Sequence, residues 1–302
     1  MEALLPQTAL INTNFFTYSR SFYQLMKPRV MSLVIFTCVV GLIIAPTQVG
    51  FFDASLSIMA VALGAGAAGA LNMWYEADLD ALMKRTCLRP IPTGKVTKNQ
   101  ALIFGIVTSF VSVITLYFFS NLLSATMLFF TIFFYTIIYT IWLKPKTSQN
   151  IVIGGVAGAL PPVIGWTIVT GNITLEPILL FLIIFFWTPS HFWALSLYKT
   201  EDYNNAKIPM LPVVAGIKTT KTNIFVYAVI LFIVSLSPAF FGYFGLIYLL
   251  SSFFLGSYYV YLCYKLLTDT DNEKKFAKKI FVYSILYLFL IFSIIIVDNI
   301  IQ

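Results

Sequence analysis

The sequence predicts an all-α, polytopic membrane protein: one bundle of nine transmembrane helices with its amino terminus in the cytoplasm. Composition is the first observation behind this prediction. The chain is 59% hydrophobic and only 10% charged, whereas a soluble domain carries roughly a quarter charged residues. The second observation is a series of long apolar runs, and the third is the confinement of basic residues to alternate connections between those runs.

Nine apolar runs are long enough to cross a bilayer, which takes about 17–25 helical residues each. They lie at 30–46, 54–76, 101–119, 122–142, 151–170, 177–198, 223–241, 243–264 and 277–298. Backbone groups in lipid must be satisfied by a helix or a closed barrel, and uninterrupted apolar runs exclude the barrel. Because the connections are short, we expect residues 1–302 to form one membrane domain that begins with a cytoplasmic segment, 1–26.

The positive charges predict the orientation. All 19 Lys and Arg residues lie in the five segments on the side of the amino terminus, namely Arg20, Lys27, Arg29, Lys84, Arg85, Arg89, Lys95, Lys98, Lys144, Lys146, Lys199, Lys207, Lys218, Lys221, Lys265, Lys274, Lys275, Lys278 and Lys279. Cytoplasmic loops retain positive charge, so that side is cytoplasmic. The net charge of +7 therefore reflects topology and an attraction to anionic membrane lipid, and requires no nucleic-acid partner.

Cysteine and targeting patterns add little. Cys38, Cys87 and Cys263 are far apart and form no CxxC pair, which indicates neither a disulfide framework nor a thiolate metal site. The first nineteen residues lack Lys and Arg and contain Glu2, which argues against a mitochondrial transit peptide, and we expect no cleavable signal before the first span. We expect a multi-pass protein of the bacterial inner membrane.

Two glycine patterns inside the spans have a packing interpretation. Gly64-x-Gly66-x-x-Gly69 matches a dinucleotide-binding fingerprint, but no strand precedes it and no βαβ unit surrounds it. Small residues in a transmembrane helix let neighbouring helices approach closely. The same explanation serves Gly154-x-x-x-Gly158, whose small face would also make room for a flat substrate.

The strongest indication of chemistry is a polar stripe at the cytoplasmic end of the second span. Asn72, Glu76 and Asp80 recur every fourth residue and so lie on nearly one face of a helix. Magnesium is usually held by one or two carboxylates together with substrate phosphate oxygens. We therefore expect these three residues to be catalytic as metal ligands. The alternative is an ordinary helix end in water. The position of Asn72, about two turns before the loop, argues against that alternative.

Two arginines directly follow the stripe. Arg85 and Arg89 suit bidentate binding of phosphate, so we expect them to bind substrate. Asp78 points away from the stripe, and we expect it to be solvated.

A second polar segment follows the sixth span. Asp202 is expected to be the fourth catalytic residue and metal ligand, and Lys199 and Tyr203 are expected to bind substrate. Two acidic segments that face one another would hold a diphosphate through one or two magnesium ions. Glu201 is either a ligand or a solvated neighbour, and we favour the solvated role.

The loop between the fourth and fifth spans contains Lys144-Pro145-Lys146 and Asn150. We expect Lys144 and Asn150 to bind substrate, although a basic turn is equally well explained by topology.

His191, the only histidine, lies within the sixth span in the pattern Trp187-x-Pro189-x-His191-Phe192. A lone histidine is often a satisfied interior residue, but ionisable groups inside a span are functional candidates. A neutral imidazole there would hydrogen-bond a substrate or, less favoured, ligate haem iron.

These motifs together resemble the intramembrane prenyltransferase superfamily and, within it, the haem O synthase branch. They run from about residue 27 to 216 and comprise Asn72-x3-Glu76-x3-Asp80-x2-Met83-x-Arg85-Thr86-x2-Arg89-Pro90, Tyr139-Thr140-x2-Leu143-Lys144, Asn150-x3-Gly154-Gly155-x2-Gly158-Ala159-x-Pro161-Pro162-x2-Gly165-Trp166, Pro189-x-His191-Phe192, and Asp202-Tyr203 through Pro209-x-Leu211-Pro212. The acidic motif alone indicates only the superfamily, and the other motifs point to the haem O branch.

The resemblance implies a nine-helix fold and a magnesium-dependent reaction. A farnesyl group would pass from farnesyl diphosphate to a vinyl group of haem B, with addition of water, giving haem O and diphosphate. The resemblance also implies haem A synthase or terminal-oxidase assembly as candidate partners. Two departures bear on the metal site: Glu76 stands where many relatives carry Asp, and Tyr198 stands where other branches carry an aspartate four residues before Asp202.

Two alternatives remain at this point. The first is a prenyltransferase of the same fold that acts on an aromatic quinone precursor, which would share the diphosphate site and differ around the fifth and sixth spans. The second is a transporter or a non-catalytic haem-binding protein, which has no need for a magnesium-type stripe flanked by arginines.

Overall fold

The computed structural model describes residues 15–206, 208–269 and 272–301, and this part of the chain is helical with no strand. Its elements are α1 (Phe15–Leu25), α2 (Pro28–Ile43), α3 (Phe51–Tyr75), α4 (Ala77–Leu82), α5 (Lys98–Phe119), α6 (Leu122–Phe133), a π-helix (Phe134–Leu143), α7 (Asn150–Ala159), α8 (Pro161–Thr170), α9 (Leu175–Tyr198), α10 (Thr200–Asn205), α11 (Leu211–Val214), α12 (Gly216–Phe240), α13 (Leu246–Thr268) and α14 (Glu273–Ile301). The predicted fold class, an all-α membrane bundle, is confirmed.

Within the described residues, eight spans are long and apolar enough to cross a membrane, and the pair α1–α2 makes a ninth if it counts as one span. That pair is bent by 52°. The bend lies at Lys27, the one residue other than glycine in the described ranges with a positive φ, 52°. Of the predicted cytoplasmic segment 1–26, residues 1–14 lie outside the described part, and the side of the membrane on which the amino terminus lies remains a prediction.

Helices α12 and α14 begin four or more residues earlier than the apolar runs predict, because their first turns are polar. Helix α12 starts at Gly216 rather than 223, and α14 starts at Glu273 rather than 277. Lys221 in α12 is buried and forms an ion pair with Glu273 at 2.6 Å. A charged group inside such a turn is therefore satisfied by a neighbouring helix, which hydropathy along the chain does not detect.

Close packing between spans depends on glycine, as the sequence predicted. A Cβ atom on Gly41 of α2 would lie 2.0 Å from the carbonyl oxygen of Pro162, and one on Gly165 of α8 would lie 1.9 Å from that of Cys38. A Cβ atom on Gly66 would lie 2.4 Å from the Met26 side chain. The packing interpretation of the glycine run in α3 is thereby confirmed.

The connections on the predicted cytoplasmic side contain short helices. Helix α4 follows the stripe-bearing α3, and helices α10 and α11 follow α9. Met83, directly after α4, is buried in the same hydrophobic cluster as Tyr203 of α10 and Leu211 of α11. The two predicted acidic segments therefore share one core at the same end of the bundle.

Candidate active site

The stripe at the end of α3 is buried and keeps its register. Asn72, Glu76 and Asp80 expose 2%, 4% and 3% of their surface. Glu76 has a non-helical conformation between α3 and α4, yet its amide donates to the Asn72 carbonyl and its carbonyl accepts from the Asp80 amide. The three side chains thus stay four residues apart on one face across the break. The alternative of an ordinary helix end in water does not fit this burial.

Each member of the stripe has its own cationic partner. The Lys27 ammonium donates to Asn72 Oδ1 at 2.5 Å, and the Lys144 ammonium contacts Glu76 Oε1 at 2.5 Å. Arg89 Nη1 lies 2.9 and 2.7 Å from the two carboxylate oxygens of Asp80. Three basic side chains therefore converge on one amide and two carboxylates.

Lys27 is the site residue that the sequence analysis missed. It was counted only among the basic residues that set topology, and 45 positions separate it from Asn72. The bend between α1 and α2 turns its side chain toward the stripe. A lysine directly before the proline that opens a span is the one local feature that marks this position.

Electrostatic coupling shifts the pKa of both members of the Glu76–Lys144 pair. Burial opposes ionisation of Glu76, but the Lys144 and Lys27 ammonium groups outweigh burial and hold the pKa of Glu76 below its ordinary value of 4.5. For Lys144 burial likewise disfavours charge, and Glu76 outweighs it and raises the pKa above 10.5. Both groups are therefore charged at neutral pH.

The π-helix orients the stripe from the other side. Asn72 Nδ2 donates to Thr140 Oγ1 at 3.1 Å, and Thr140 Oγ1 donates to the Tyr135 carbonyl at 2.8 Å. The wider π turn places Thr140 above a carbonyl five residues back. Asn72 is thus held with its amide oxygen toward Lys27. Neither Thr140 nor the π turn was expected from the apolar pattern.

The second acidic segment lies nearby but is built differently. Asp202 exposes only 7% of its surface, and among the described residues its carboxylate has no hydrogen bond and no ion pair. Tyr203 is buried at 4% exposure. The electrostatic neighbours of the Lys144 ammonium include both Glu76 and Tyr203, so Lys144 lies between the two acidic segments.

Three further predicted substrate-binding residues, Arg85, Lys199 and Asn150, form no hydrogen bond or ion pair with the stripe among the described residues. Arg85 is exposed after α4 and forms no hydrogen bond or ion pair with a described residue. Lys199 lies over the Tyr198 ring at 4.8 Å from its centroid. Asn150 is fully buried at the start of α7, where Nδ2 donates to the Thr147 carbonyl at 2.5 Å and Oδ1 has no partner.

His191 is separate from these clusters. It lies seven residues before the end of α9, roughly 10 Å deeper in the bundle at about 1.5 Å per residue. Its imidazole is 6% exposed, stacks on Trp187 and Phe281, and contacts Ser284 Oγ through Nδ1 at 2.6 Å. The structure therefore does not bring His191 to the stripe.

The two acidic residues expected to be solvated are exposed. The Asp78 side chain is 86% exposed and pairs with Lys98 at 2.7 Å. The Glu201 side chain is 83% exposed and pairs with Lys274 at 3.3 Å. Both predictions are confirmed, and these exposed pairs provide matched controls for the buried ones.

The donor set fits magnesium only when phosphate completes the coordination. The described residues contain no group of three His, Cys, Asp or Glu side chains arranged around one position. Magnesium, however, is typically bound by one or two carboxylates plus substrate phosphates and water. Glu76 and Asp80 with the Asn72 amide on one side, and the unpaired Asp202 on the other, meet that requirement.

Comparison with known proteins identifies the family of the chain. Residues 34–285 match the model of the UbiA prenyltransferase family. The chain is 62% identical to protoheme IX farnesyltransferase of Pelagibacter ubique, with 99% of each chain covered. It is 50% identical to protoheme IX farnesyltransferase 2 of Mesorhizobium japonicum, over 99% of this chain and 97% of that one.

Solved structures share the fold at low sequence identity. A digeranylgeranylglyceryl phosphate synthase superposes with a TM-score of 0.78 at 17% identity, covering 94% of this chain and 99% of that chain. A UbiA homolog from Archaeoglobus fulgidus bound to DMAPP and Mg²⁺ superposes with a TM-score of 0.69 at 16% identity, covering 91% and 99%. With a buried polar stripe at the end of a bundle whose described residues form eight or nine spans, and a family match over most of its length, the chain belongs to the UbiA prenyltransferase family, among the protoheme IX farnesyltransferases.

Proposed function

We propose that this protein transfers the farnesyl group of farnesyl diphosphate to a vinyl group of haem B, with addition of water, releasing diphosphate and forming haem O. The observation that carries the proposal is the buried stripe Asn72–Glu76–Asp80 with three cations in contact, in a chain 62% identical to a protoheme IX farnesyltransferase. The acidic stripe and Asp202 hold the diphosphate end of the substrate, and the apolar bundle holds the farnesyl chain and the porphyrin.

The basic residues of the site bind the diphosphate. Lys27, Lys144 and Arg89 lie within hydrogen-bonding distance of the stripe and can turn from it to phosphate oxygens as the substrate arrives. Charge-assisted contacts of this kind are the strong ones. Arg85, exposed at the mouth of the site, and Lys199 add positive charge at the approach.

Asn72, Glu76, Asp80 and Asp202 are the residues that would hold Mg²⁺ on the diphosphate. When bound, the metal supplies charge stabilisation to the leaving diphosphate. The chain's own cations act in the same direction, because Lys144 and Arg89 are positioned before the carbon–oxygen bond breaks and need no reorganisation.

The allylic cation that results must be kept from water. Helices α9, α13 and α14 supply a dense aromatic interior in which Trp187, Tyr259 and Tyr287 are buried. Aromatic ring faces stabilise a cation, and a dry cavity prevents its premature hydrolysis. We place the diphosphate site at the cytoplasmic face of a bacterial inner membrane, in line with the predicted orientation.

The test is the mass of the product. Purified protein in detergent with haem B, farnesyl diphosphate and Mg²⁺ should give a haem heavier by one farnesyl group and one water. A parallel reaction should replace haem B with hydroxybenzoate. Unmodified haem together with prenylated hydroxybenzoate would contradict the proposal and favour a quinone-precursor prenyltransferase. Association with haem A synthase or a terminal oxidase stays a prediction, to be checked by co-purification.

A further inference from the structure

His191 is the one strongly polar acid–base group in the interior of the described spans. His191 lies seven residues before the end of α9, and the Asp, Glu, Lys and Arg residues of these spans lie within six residues of a helix end. Ionisable groups at such depth are retained for function rather than for stability. The proposed metal and diphosphate site does not use His191, because the imidazole lies deeper in α9.

Aromatic rings hold the imidazole on both faces. Its centroid lies 4.2 Å from that of the Trp187 ring at an interplanar angle of 17°. On the other side the Phe281 centroid lies at 4.7 Å with an angle of 25°. The Trp187 indole is itself anchored, since its Nε1 donates to the Ser284 carbonyl at 2.8 Å. The ring plane of His191 is therefore determined, and both of its faces are covered.

Hydrogen bonds also determine which nitrogen is available. Ser284 Oγ donates to the Phe281 carbonyl at 2.7 Å, so its single proton is engaged. It can then only accept from His191 Nδ1, which lies at 2.6 Å. In a neutral imidazole one nitrogen carries the proton and the other carries the lone pair. The lone pair is consequently on Nε2, which has no hydrogen-bond partner among the described residues.

We propose that Nε2 of His191 holds the water molecule consumed in the reaction and accepts its proton. This inference rests on the proposed function and assigns a residue to the step in which water is added. The terminal vinyl carbon of haem forms a bond to farnesyl C1 as the bond from C1 to the diphosphate oxygen breaks. Positive charge is left on the vinyl carbon next to the pyrrole. The water oxygen bonds to that carbon, and one water proton passes to Nε2.

The position of water decides between two products at this step. The cation can add water, or it can lose a proton from the neighbouring carbon and become an alkene that lacks the elements of water. A water molecule in an apolar cavity requires polar partners. The neighbouring hydroxyls of Ser190 in α9 and Tyr259 in α13 already bond to each other at 2.8 Å, and a hydroxyl is a weaker base than an imidazole. His191 Nε2 is the acceptor that favours hydration.

The test is the product ratio of the variant His191→Phe. Phenylalanine keeps the stacking between Trp187 and Phe281 and removes both ring nitrogens. We expect this variant to release diphosphate and to form the carbon–carbon bond, with the ratio of hydrated to dehydrated farnesyl-haem lowered about 100-fold, as for loss of a general base. Ser190→Ala is the matched control, because it removes a neighbouring buried hydrogen bond and leaves the imidazole in place. Its ratio should equal that of the wild type.

Two results with His191→Phe would overturn the inference. One is a hydrated product at the wild-type ratio. The other is loss of haem binding by His191→Phe, which would show the Soret band of free haem where wild type and Ser190→Ala share the band of a complex, and would identify His191 as an iron ligand. If His191→Phe does not fold, Ser284→Ala replaces it: loss of the Nδ1 anchor should lower the ratio about 10-fold, and an unchanged ratio would count against the inference. Absence of any farnesylated haem with the wild-type protein would instead refute the proposed function.

Discussion

The two acidic segments differ in whether their buried carboxylates have cationic partners among the described residues. At the end of α3, Glu76 and Asp80 are neutralised by Lys144 and Arg89 at 2.5 and 2.7 Å. After α9, Asp202 is equally buried but has no cationic partner among the described residues. A buried carboxylate without a partner is destabilising. At the first end the described residues supply the counter-charges, whereas for Asp202 they supply none.

This difference separates two roles within one site. In the proposed mechanism the paired end would provide a cradle whose cations exchange carboxylate oxygens for phosphate oxygens. The Asp202 end would add a carboxylate ligand for the metal on the diphosphate. Stability and activity should consequently respond differently to mutation at the two ends.

The largest expected effect is on turnover, and it should be the same at both ends. Asp80→Asn and Asp202→Asn should each lower kcat/KM for farnesyl diphosphate about 10²- to 10³-fold, because each removes charge that stabilises the transition state. Initial rates of haem O formation measure the effect. Glu201→Gln, next to Asp202 and 83% exposed on its side chain, should retain wild-type turnover. Full activity of Asp202→Asn would remove the second acidic segment from the site.

The next effect is on stability, and here the two ends should diverge. Asp80→Asn leaves the partly buried Arg89 guanidinium without its carboxylate, which costs about 2 kcal/mol. Asp202→Asn removes an unpaired buried charge, so the free energy of unfolding should stay equal or rise. Thermal unfolding in detergent, without metal or substrate, compares the two variants. Asp78→Asn breaks the exposed pair with Lys98 and should change stability by less than about 0.5 kcal/mol. Equal destabilisation by the two aspartate variants would contradict the comparison.

A smaller effect, on substrate affinity, is expected at Lys27, whose place in the site only the tertiary structure revealed. Lys27→Met keeps the apolar part of the side chain and removes the ammonium that contacts Asn72. Loss of one charge-assisted hydrogen bond should weaken binding of farnesyl diphosphate about 10-fold. Titration calorimetry with a non-hydrolysable thiodiphosphate analogue and Mg²⁺ measures this affinity. Lys146→Met, whose side chain is exposed in the loop before α7, is the control and should bind with wild-type affinity.

The smallest effect concerns pH. The pKa of Glu76 is below its ordinary 4.5 in the folded protein, so the stability from its pairing is fully present above pH 4.5 and is lost as pH falls through the folded pKa. The pKa of Lys144 is above 10.5, so its contribution is present below pH 10.5 and lost as pH rises through the folded value. The stability difference between wild type and Glu76→Gln should therefore shrink as pH falls below 4.5. Melting curves of both proteins between about pH 3 and 6 test this, and a difference that does not shrink in acid would contradict it.

Much of the fold was predictable because its causes are local. The cost of moving polar groups into lipid determines which runs form spans, and the retention of positive charge in the cytoplasm groups all 19 basic residues on one side. The four-residue spacing of Asn72, Glu76 and Asp80 requires only the helical period. The spans and the shared face of the stripe were predicted correctly, as was the exposure of Asp78 and Glu201, while the orientation in the membrane remains a prediction.

The partners of these residues were decided by the tertiary structure alone. Lys27 reaches Asn72 across 45 positions, and Lys144 reaches Glu76 across 68, by way of a helix bend and a π turn. The bound nitrogen of His191 depends on Ser284, 93 positions away in α14. By itself the sequence determined which groups must avoid lipid and on which helical face they lie, because those properties follow from transfer energies and helical geometry. Which charges meet, and which carboxylate stays unpaired, depends on packing between distant helices and has no local pattern in the chain.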